Sequence, residues 1–276
     1  MQAQSEPIHA GPMARLLTAL IVKARNQKHL RRLWKPSTSL ISLLHICIKV
    51  KPFPNLAEAH AMRFVSRHTS IPVPKVYCAF IHNGKTYIVM SRIRGQMAWH
   101  GWQSRSEESK NRILGQLKRM VVELRSLSPP EGAGVAGVDG GPFCDCRLPS
   151  KLLWGPFSTT CHFHEALLNN ADLDTEYESL PPDVSELFSF YRQSSNNLVL
   201  THGDLSSLNI LVQNDKVVGI VDWETAGWFP PYWEYTCAKN VNPQNTFWAD
   251  EVDRFLLPMP YELAMEDIRR KHFGSF

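Results

Sequence analysis

Between Glu107 and Leu127 the apolar residues Ile113, Leu117, Met120, Val121, Leu124 and Leu127 recur three and four positions apart, the spacing of a helix with one face on a core. Other segments follow shorter periods. "LLHICIKV" (Leu43 to Val50) is an apolar run with β-branched residues that carries Lys49 near its end, and "KTYIVMSRIRG" reads as a strand leading to a turn at Gly95. "NLAEAHAMRFVSRH" lies between them, with Leu56, Ala59, Met62, Phe64 and Val65 near helical spacing and Asn55 as candidate cap. The prolines of "IPVPKVY" hold the chain extended. The first hundred residues are therefore expected to run strand, helix, strand, strand.

Upstream, residues 1–35 are expected to form a basic helix with Leu16, Leu17, Leu20 and Ile21 on one face, ended by Pro36. Downstream, the proline- and glycine-rich stretch from Pro129 to about Pro156 reads as an extended surface loop. "DVSELFSFYRQ" (Asp183 to Gln193) and the C-terminal "PYELAMEDIRRKHF" each predict one more helix. "LNILVQ" and "KVVGIVDW" are β-branched runs joined by Asn214 and Asp215, the pattern of a hairpin. No repeat, heptad run or low-complexity tract interrupts this order.

Composition narrows the class without naming a chemistry. The 276 residues are 43% apolar and 20% charged, as expected of a globular protein large enough for two lobes. A net charge of +4 is too small to argue for nucleic acid as partner. The six scattered cysteines lack the density of a disulfide scaffold, which predicts free thiols and a cytoplasmic setting. Residues 7–57 contain no acid, which leaves a mitochondrial leader open. The apolar stretch Leu16 to Val22 is too short to span a bilayer.

The hairpin is where chemistry enters. Asp204 and Asn209 precede its first strand and Asp222 ends its second, so folding the hairpin brings all three to one end. Converging oxygen ligands suit a hard divalent cation, and Mg²⁺ takes one or two protein carboxylates together with phosphate oxygens and water. His202, Asp204 and Asn209 also meet the H-x-D-x-x-x-x-N spacing of a kinase catalytic loop, and Asp222 stands where a kinase places its metal-binding aspartate. Trp223 and Glu224 replace the usual Phe-Gly there.

With these motifs the chain resembles the aminoglycoside phosphotransferase-like kinases, and within them the group common in filamentous fungi. The resemblance runs from about Ile46 to the C-terminus, through "EAHAMRFV", "IPVPKVY", "TYIVMSRIRG", "THGDLSSLNILV", "GIVDWETAGWFPPYWEY" and "PMPYELAMEDIRRKHFG". It implies an α+β, two-lobed protein-kinase-like fold: a basic segment over 1–36, a small β-rich N-lobe over 37–95 and a mainly helical C-lobe over 96–276. It also implies transfer of the γ-phosphoryl group of ATP to a hydroxyl of a small molecule, with Mg²⁺.

By matching motif positions, Asp204 resembles the catalytic base, and Asn209 and Asp222 the metal ligands. Lys49 resembles the lysine that contacts the α and β phosphates, with Glu58 as its helix-borne partner. Met90, Ser91 and Ile93 fall where the adenine is held, and His202 resembles a structural member of the loop. Each has an alternative: Lys49 as one more exposed cation beside Lys51, Glu58 as an acid favoured by the start of a helix. Glu234 reads equally as a brace beneath the catalytic loop and as a surface residue.

Two features depart from the pattern. No glycine occurs between Gly11 and Gly84, although kinases cover the triphosphate with a turn that is usually glycine-rich; Ser37, Thr38 and Ser39 are the candidates for that turn. A catalytically impaired pseudokinase or nucleotide-binding interaction module is the rival reading that this absence keeps open. Cys144, Cys146, Cys161, His162 and His164 offer zinc-ligand types, but in C-x-C and C-H-x-H arrangements that match no ordinary structural site. The aromatics between 223 and 235 are expected to form a buried core beneath the cleft in preference to a carbohydrate platform. Asp250, Glu251 and Asp253 are candidates for attracting a cationic acceptor.

Overall fold

Lys85–Ser91 alternates covered and uncovered side chains along its whole length, the signature of a strand with one face on a core. It organises the first half of the chain. The computed structural model describes residues 6–25, 27, 40–145, 148, 153–177, 179–240 and 245–274. Helix α1 (Pro12–Arg25) is followed by β1 (Leu40–Ser42), β2 (Ile46–Lys51), α2 (Ala57–His68), β3 (Val76–His82) and β4 (Lys85–Ser91). The strands form an antiparallel sheet in the order β1-β2-β4-β3, with Lys49 opposite Ile88 and Lys51 opposite Thr86. Asn83 and Gly84, both at positive φ, close the β3–β4 hairpin.

Helix α2 packs Ala57, Glu58, Ala59, Ala61, Met62 and Val65 inward. The expected cap acts from one position further out: Leu56 takes the N-cap place, and Asn55 Oδ1 accepts from the Ala57 amide at 2.7 Å. Thr86 holds this entry by donating to the Phe53 carbonyl and accepting from the Asn55 amide, both at 2.8 Å.

The N-terminal helix differs from expectation. It runs only from Pro12 to Arg25, starting where proline is favoured at a helix N-terminus. Leu16, Leu17 and Leu20 are more than half exposed, while Thr18 is buried and Arg15 lies over the Phe80 ring. Helical spacing identified the face but not its surroundings, because the helix docks through Arg15 and Thr18. Ahead of it Ile8 exchanges two backbone bonds with Ala79, which covers the free edge of β3. Ser37, Thr38, Ser39 and the helix end expected at Pro36 lie outside the described residues.

The second half comprises β5 (Gln96–Met97), α3 (Glu107–Arg125), β6 (Ala136–Gly137), β7 (Phe143–Cys144), β8 (Leu153–Trp154), α4 (Thr160–Leu167), α5 (Pro182–Gln193) and β9 (Val199–Thr201). There follow β10 (Ile210–Gln213), β11 (Lys216–Ile220), β12 (Gly227–Phe229), α6 (Trp233–Lys239), α7 (Phe247–Val252) and α8 (Pro260–Phe273). The predicted core helix is α3, capped by Ser106, with Ile113, Leu117, Val121 and Leu124 buried. The predicted hairpin is β10–β11, joined by β5 on its other edge. The architecture is α+β and two-lobed, with helices gathered in the second half.

The surface loop expected over Pro129–Pro156 is a correction. Val135, Ala136, Phe143, Cys144, Leu148 and Trp154 within it are buried, and β6 pairs with β12. Glycine here serves close backbone approach: a Cβ on Gly227 would lie 2.2 Å from the Ala136 carbonyl oxygen. Phe143 meets Phe229 edge-on at 4.8 Å and Phe163 meets Trp233 at 5.1 Å. With Trp223, Trp228, Tyr232 and Tyr235 buried, the expected aromatic core lies beneath the cleft.

Candidate functional site

A cleft of about 470 Å³ opens between the first sheet and the β10–β11 hairpin. Cys47 and Met90 line it from the sheet, Met97, Leu211 and Val221 from below, and Ser91 and Ile93 along the connecting chain. That connection is pinned onto β11 by two glycines: a Cβ on Gly219 would lie 2.5 Å from Ile93 Cδ1, and one on Gly95 2.8 Å from Val218 Cγ2. The Ser91 amide donates to the Lys75 carbonyl and the Arg92 amide to the His45 carbonyl. Met90, Ser91 and Ile93 thus share an apolar slot with a backbone margin, a shape that suits a flat heterocycle.

Lys49, Glu58, Asn209 and Asp222 stand at the polar end of the same cleft. Lys49 Nζ lies 2.8 Å from Glu58 Oε1 and 2.6 Å from Asp222 Oδ1, joining residues 173 positions apart. Burial works against the Lys49 charge, but the carboxylates of Glu58, Asp222 and Glu224 outweigh it and hold the ammonium above its ordinary pKa. Glu58 is fully buried, and that burial raises its pKa against the opposing pull of Lys49 and Lys51. Neither surface alternative holds for this pair. Lys51 is buried as well, at 4% exposure, so the two lysines are not a solvated pair.

Asp204 and Asn209 form a second constellation, built on hydrogen bonds. Asn209 Nδ2 donates to Asp204 Oδ2 at 2.7 Å and to the Asp204 carbonyl at 3.0 Å, which fixes which way its amide points. The Asp204 amide donates to His202 Nδ1 at 3.1 Å, so the proton of this buried imidazole is on Nε2, 3.1 Å from the Val221 carbonyl. Glu234, 1% exposed, accepts from the His202 amide at 2.6 Å and the Gly203 amide at 3.0 Å. It is the brace, not a surface residue. Gly203 has φ +81, and a Cβ there would meet the Thr225 carbonyl at 3.0 Å, so this position needs glycine.

Thr225 Oγ1 donates to the His202 carbonyl at 2.8 Å, and the Val221 amide donates to the Asn209 carbonyl at 2.9 Å. The catalytic-type loop and the Asp222 segment are therefore stitched together on both sides of Asp222. That residue itself adopts φ 65, ψ 59, a left-handed conformation that aspartate tolerates better than most.

The donor chemistry fits Mg²⁺. One carboxylate, Asp222, and one amide oxygen, Asn209, face a shared cleft, and the Asn209 nitrogen is already engaged by Asp204. Glu58, Asp222 and Glu224 offer carboxylate oxygens within 4.8 Å of one another, and all three face Lys49 or Lys51.

Other candidates went elsewhere in the fold. His164 is buried with Nε2 2.7 Å from Tyr232 Oη and its ring stacked on Tyr191, and His162 Nδ1 lies 2.7 Å from Ser158 Oγ. Cys146 lies outside the described residues. The described cysteines are free of disulfides. Glu251 is engaged by Trp102 and Arg254, and Asp253 by Tyr235 and Lys239, so two of the three acids proposed for a cationic acceptor are engaged within the C-lobe. Sequence reasoning missed Lys51 and Glu224; their spacing of two from Lys49 and from Asp222 was the available signal. No helix among the described residues is long and apolar enough to cross a membrane.

Residues 51–265 match the profile of the phosphotransferase enzyme family. Over 157 residues the chain is 23% identical to an aminoglycoside 3'-phosphotransferase of Niallia circulans, covering 57% of this chain and 53% of that protein. Over 179 residues it is 26% identical to the enzyme of the same description from Enterococcus faecalis, covering 62% and 60%. The chain thus spans between half and two thirds of these relatives. The aminoglycoside phosphotransferase APH(4)-Ia superposes with a TM-score of 0.57 at 16% identity, over 90% of this chain and 88% of that one. A thermostable variant of it in ternary complex with ADP and hygromycin B gives a TM-score of 0.57 at 16% identity, over 88% of each chain. At this identity the likeness speaks for the fold, that of a protein-kinase-like phosphotransferase.

Proposed function

The chain belongs to the phosphotransferase enzyme family, and from that premise we propose that it transfers the γ-phosphoryl group of ATP to a hydroxyl of a small molecule. The observation that carries the reading is the convergence of Lys49, Glu58, Asn209 and Asp222 at one end of an apolar cleft, with Asp204 bonded to Asn209. Relatives named as aminoglycoside phosphotransferases, and a neighbour that holds ADP with hygromycin B, support nucleotide and small-molecule acceptor as the substrate classes.

Phosphoryl transfer asks a protein mainly for positioning and charge. Asp204 accepts the proton of the attacking hydroxyl; the bond from Asn209 Nδ2 keeps its carboxylate aimed, and its own amide, donating to His202 Nδ1, anchors its backbone. Asn209 and Asp222 are the residues that would hold Mg²⁺, which when bound neutralises charge on the phosphates. Lys49, in this reading, faces the α and β phosphates, with Glu58 at 2.8 Å as its counter-charge. Met90, Ser91 and Ile93 bind the adenine. The free thiols fit a reducing, cytoplasmic setting. The engagement of Glu251 and Asp253 within the C-lobe favours no polycation, so the acceptor is assigned only as an alcohol.

Thermal unfolding with and without Mg·ATP, beside Asp222→Asn, tests the reading. At 100 times its dissociation constant the nucleotide adds about 2.7 kcal/mol of stability. The expected result is a Mg²⁺-dependent shift that Asp222→Asn abolishes. No shift at millimolar Mg·ATP would overturn the proposal.

A further inference from the structure

Strand β2 points Lys49 and Lys51 to the same side, two residues apart. Beyond β11, Asp222 and Glu224 are also two apart, and each is the nearer of the two to one lysine: Lys49 Nζ to Asp222 at 2.6 Å, with Glu224 Oε2 farther at 3.7 Å, and Lys51 Nζ to Glu224 Oε2 at 2.9 Å. Lys51 meets Glu224 at ion-pair distance without the alignment of a hydrogen bond. Glu58 lies between the lysines, with Oε1 2.8 Å from Lys49 and Oε2 3.5 Å from Lys51.

Burial separates the two pairs. The Lys49 side chain is 18% exposed and lines the cleft, whereas that of Lys51 is 4% exposed and does not. Lys51 also lies 4.9 Å from the centre of the Phe53 ring. An ammonium withdrawn from water and out of reach of a cleft ligand persists only where partners compensate it. Its partners are Glu58 and the segment that carries Asp222.

Lys49 and Asp222 must part when Lys49 turns to phosphate and Asp222 to a cation. The segment then loses its contact with β2 at Asp222, a residue in left-handed conformation, unless something else holds it. We propose that Lys51 and Glu224 form a clamp between the lobes, independent of nucleotide, that positions Asp222 and so releases Lys49 for the ligand. This rests on the reading of the cleft as a Mg·ATP site. Lys51 and Glu224 are positioning residues here; neither touches the reacting atoms.

Amide hydrogen exchange over residues 221–226 of the nucleotide-free protein tests the clamp directly. Lys51→Met and Glu224→Gln should each speed exchange there by about tenfold, with the double variant no faster than either single one, as for two residues acting as a unit. Lys51→Arg should keep the protection. In thermal shifts with ATP, both single variants should need about tenfold more Mg²⁺ for half-saturation, the scale of losing a residue that orients a metal ligand. The shift at saturating Mg²⁺ should remain. Glu224→Gln, at a partly exposed site, carries the test if Lys51→Met does not fold. Unchanged exchange in Glu224→Gln would overturn the clamp. So would a Mg²⁺-dependent shift abolished by Glu224→Gln yet kept in Lys51→Met, which would make Glu224 a metal ligand. If the wild type shows no Mg·ATP shift at all, the kinase reading fails, while exchange in the nucleotide-free protein still decides the clamp.

Discussion

Asp222 lines the polar end of the cleft, Asp204 is bonded to Asn209 beside it, and the two are held by different means. The Asp222 carboxylate is held by charge, through Lys49 at 2.6 Å, on a backbone in a conformation few residues favour. Asp204 is held by hydrogen bonds from Asn209, on a loop whose amides are gathered by Glu234 and whose glycine fits closely against Thr225. A charge contact can be exchanged for another when a phosphate or cation arrives, at modest net cost. A buried set of backbone donors cannot, since each unpaired N–H would cost about 1–3 kcal/mol. The loop is thus built to stay and the Lys49 cluster to change partners.

That contrast can be broken first at the chemistry. Asp204→Asn should lower phosphoryl transfer by about a hundred- to ten-thousandfold, the range for removing a general base, while the Mg·ATP thermal shift survives. Coupled measurement of turnover and unfolding checks this. Glu234→Ala strips the loop of its brace and leaves the His202 and Gly203 amides without that acceptor. It should cost about 1–3 kcal/mol for each, read as a lower urea midpoint, with transfer falling as Asp204 loses its aim.

Gly203→Ala should destabilise by somewhat more than about 1 kcal/mol, since both its φ and the 3.0 Å approach of Thr225 oppose a side chain. Gly84→Ala, at φ +70 but with open space around it, should cost less, and the difference between the two measures the close approach by itself.

The smallest expected effect concerns pH. Lys49 keeps its charge under burial because acids surround it, but burial brings His164 down from 6.5 to about 3 and keeps it neutral. Its folded pKa lies below the unfolded one, so the unfolded chain takes up the proton first. Stability is fully present above about pH 6.5 and falls as pH drops toward 3. Between pH 7.5 and 5.5 the loss from this group should be roughly 1 kcal/mol. Urea unfolding at both values should show that slope in the wild type and a weaker one in His164→Phe.

Elements whose periodicity was strong were readable before any folding: α3 with its apolar stripe, β4 with its alternation, and the β10–β11 hairpin that gathers Asp204, Asn209 and Asp222. These follow from local pattern, because helix and strand periods and a two-residue turn act over a few positions. Glu58 and Lys49 were legible as candidates by motif resemblance, not by spacing, since they stand nine positions apart across the end of a strand, a loop and the start of a helix.

Other features depended on contacts distant in sequence. The glycine- and proline-rich stretch after Pro129 looked exposed, yet Val135, Ala136, Phe143 and Cys144 within it are buried, and β12 accepts β6 at a distance only glycine allows. The leucines of α1 share one face, yet the helix docks by another side. Lys51 looked like a surface charge, and Glu224 like a mere replacement within a motif. The sequence by itself determined which oxygen and nitrogen groups this protein could bring to a cleft, since motif and hairpin are local. Tertiary structure decided which of those charges lost their water and with which partners, because desolvation depends on every segment packed around a group.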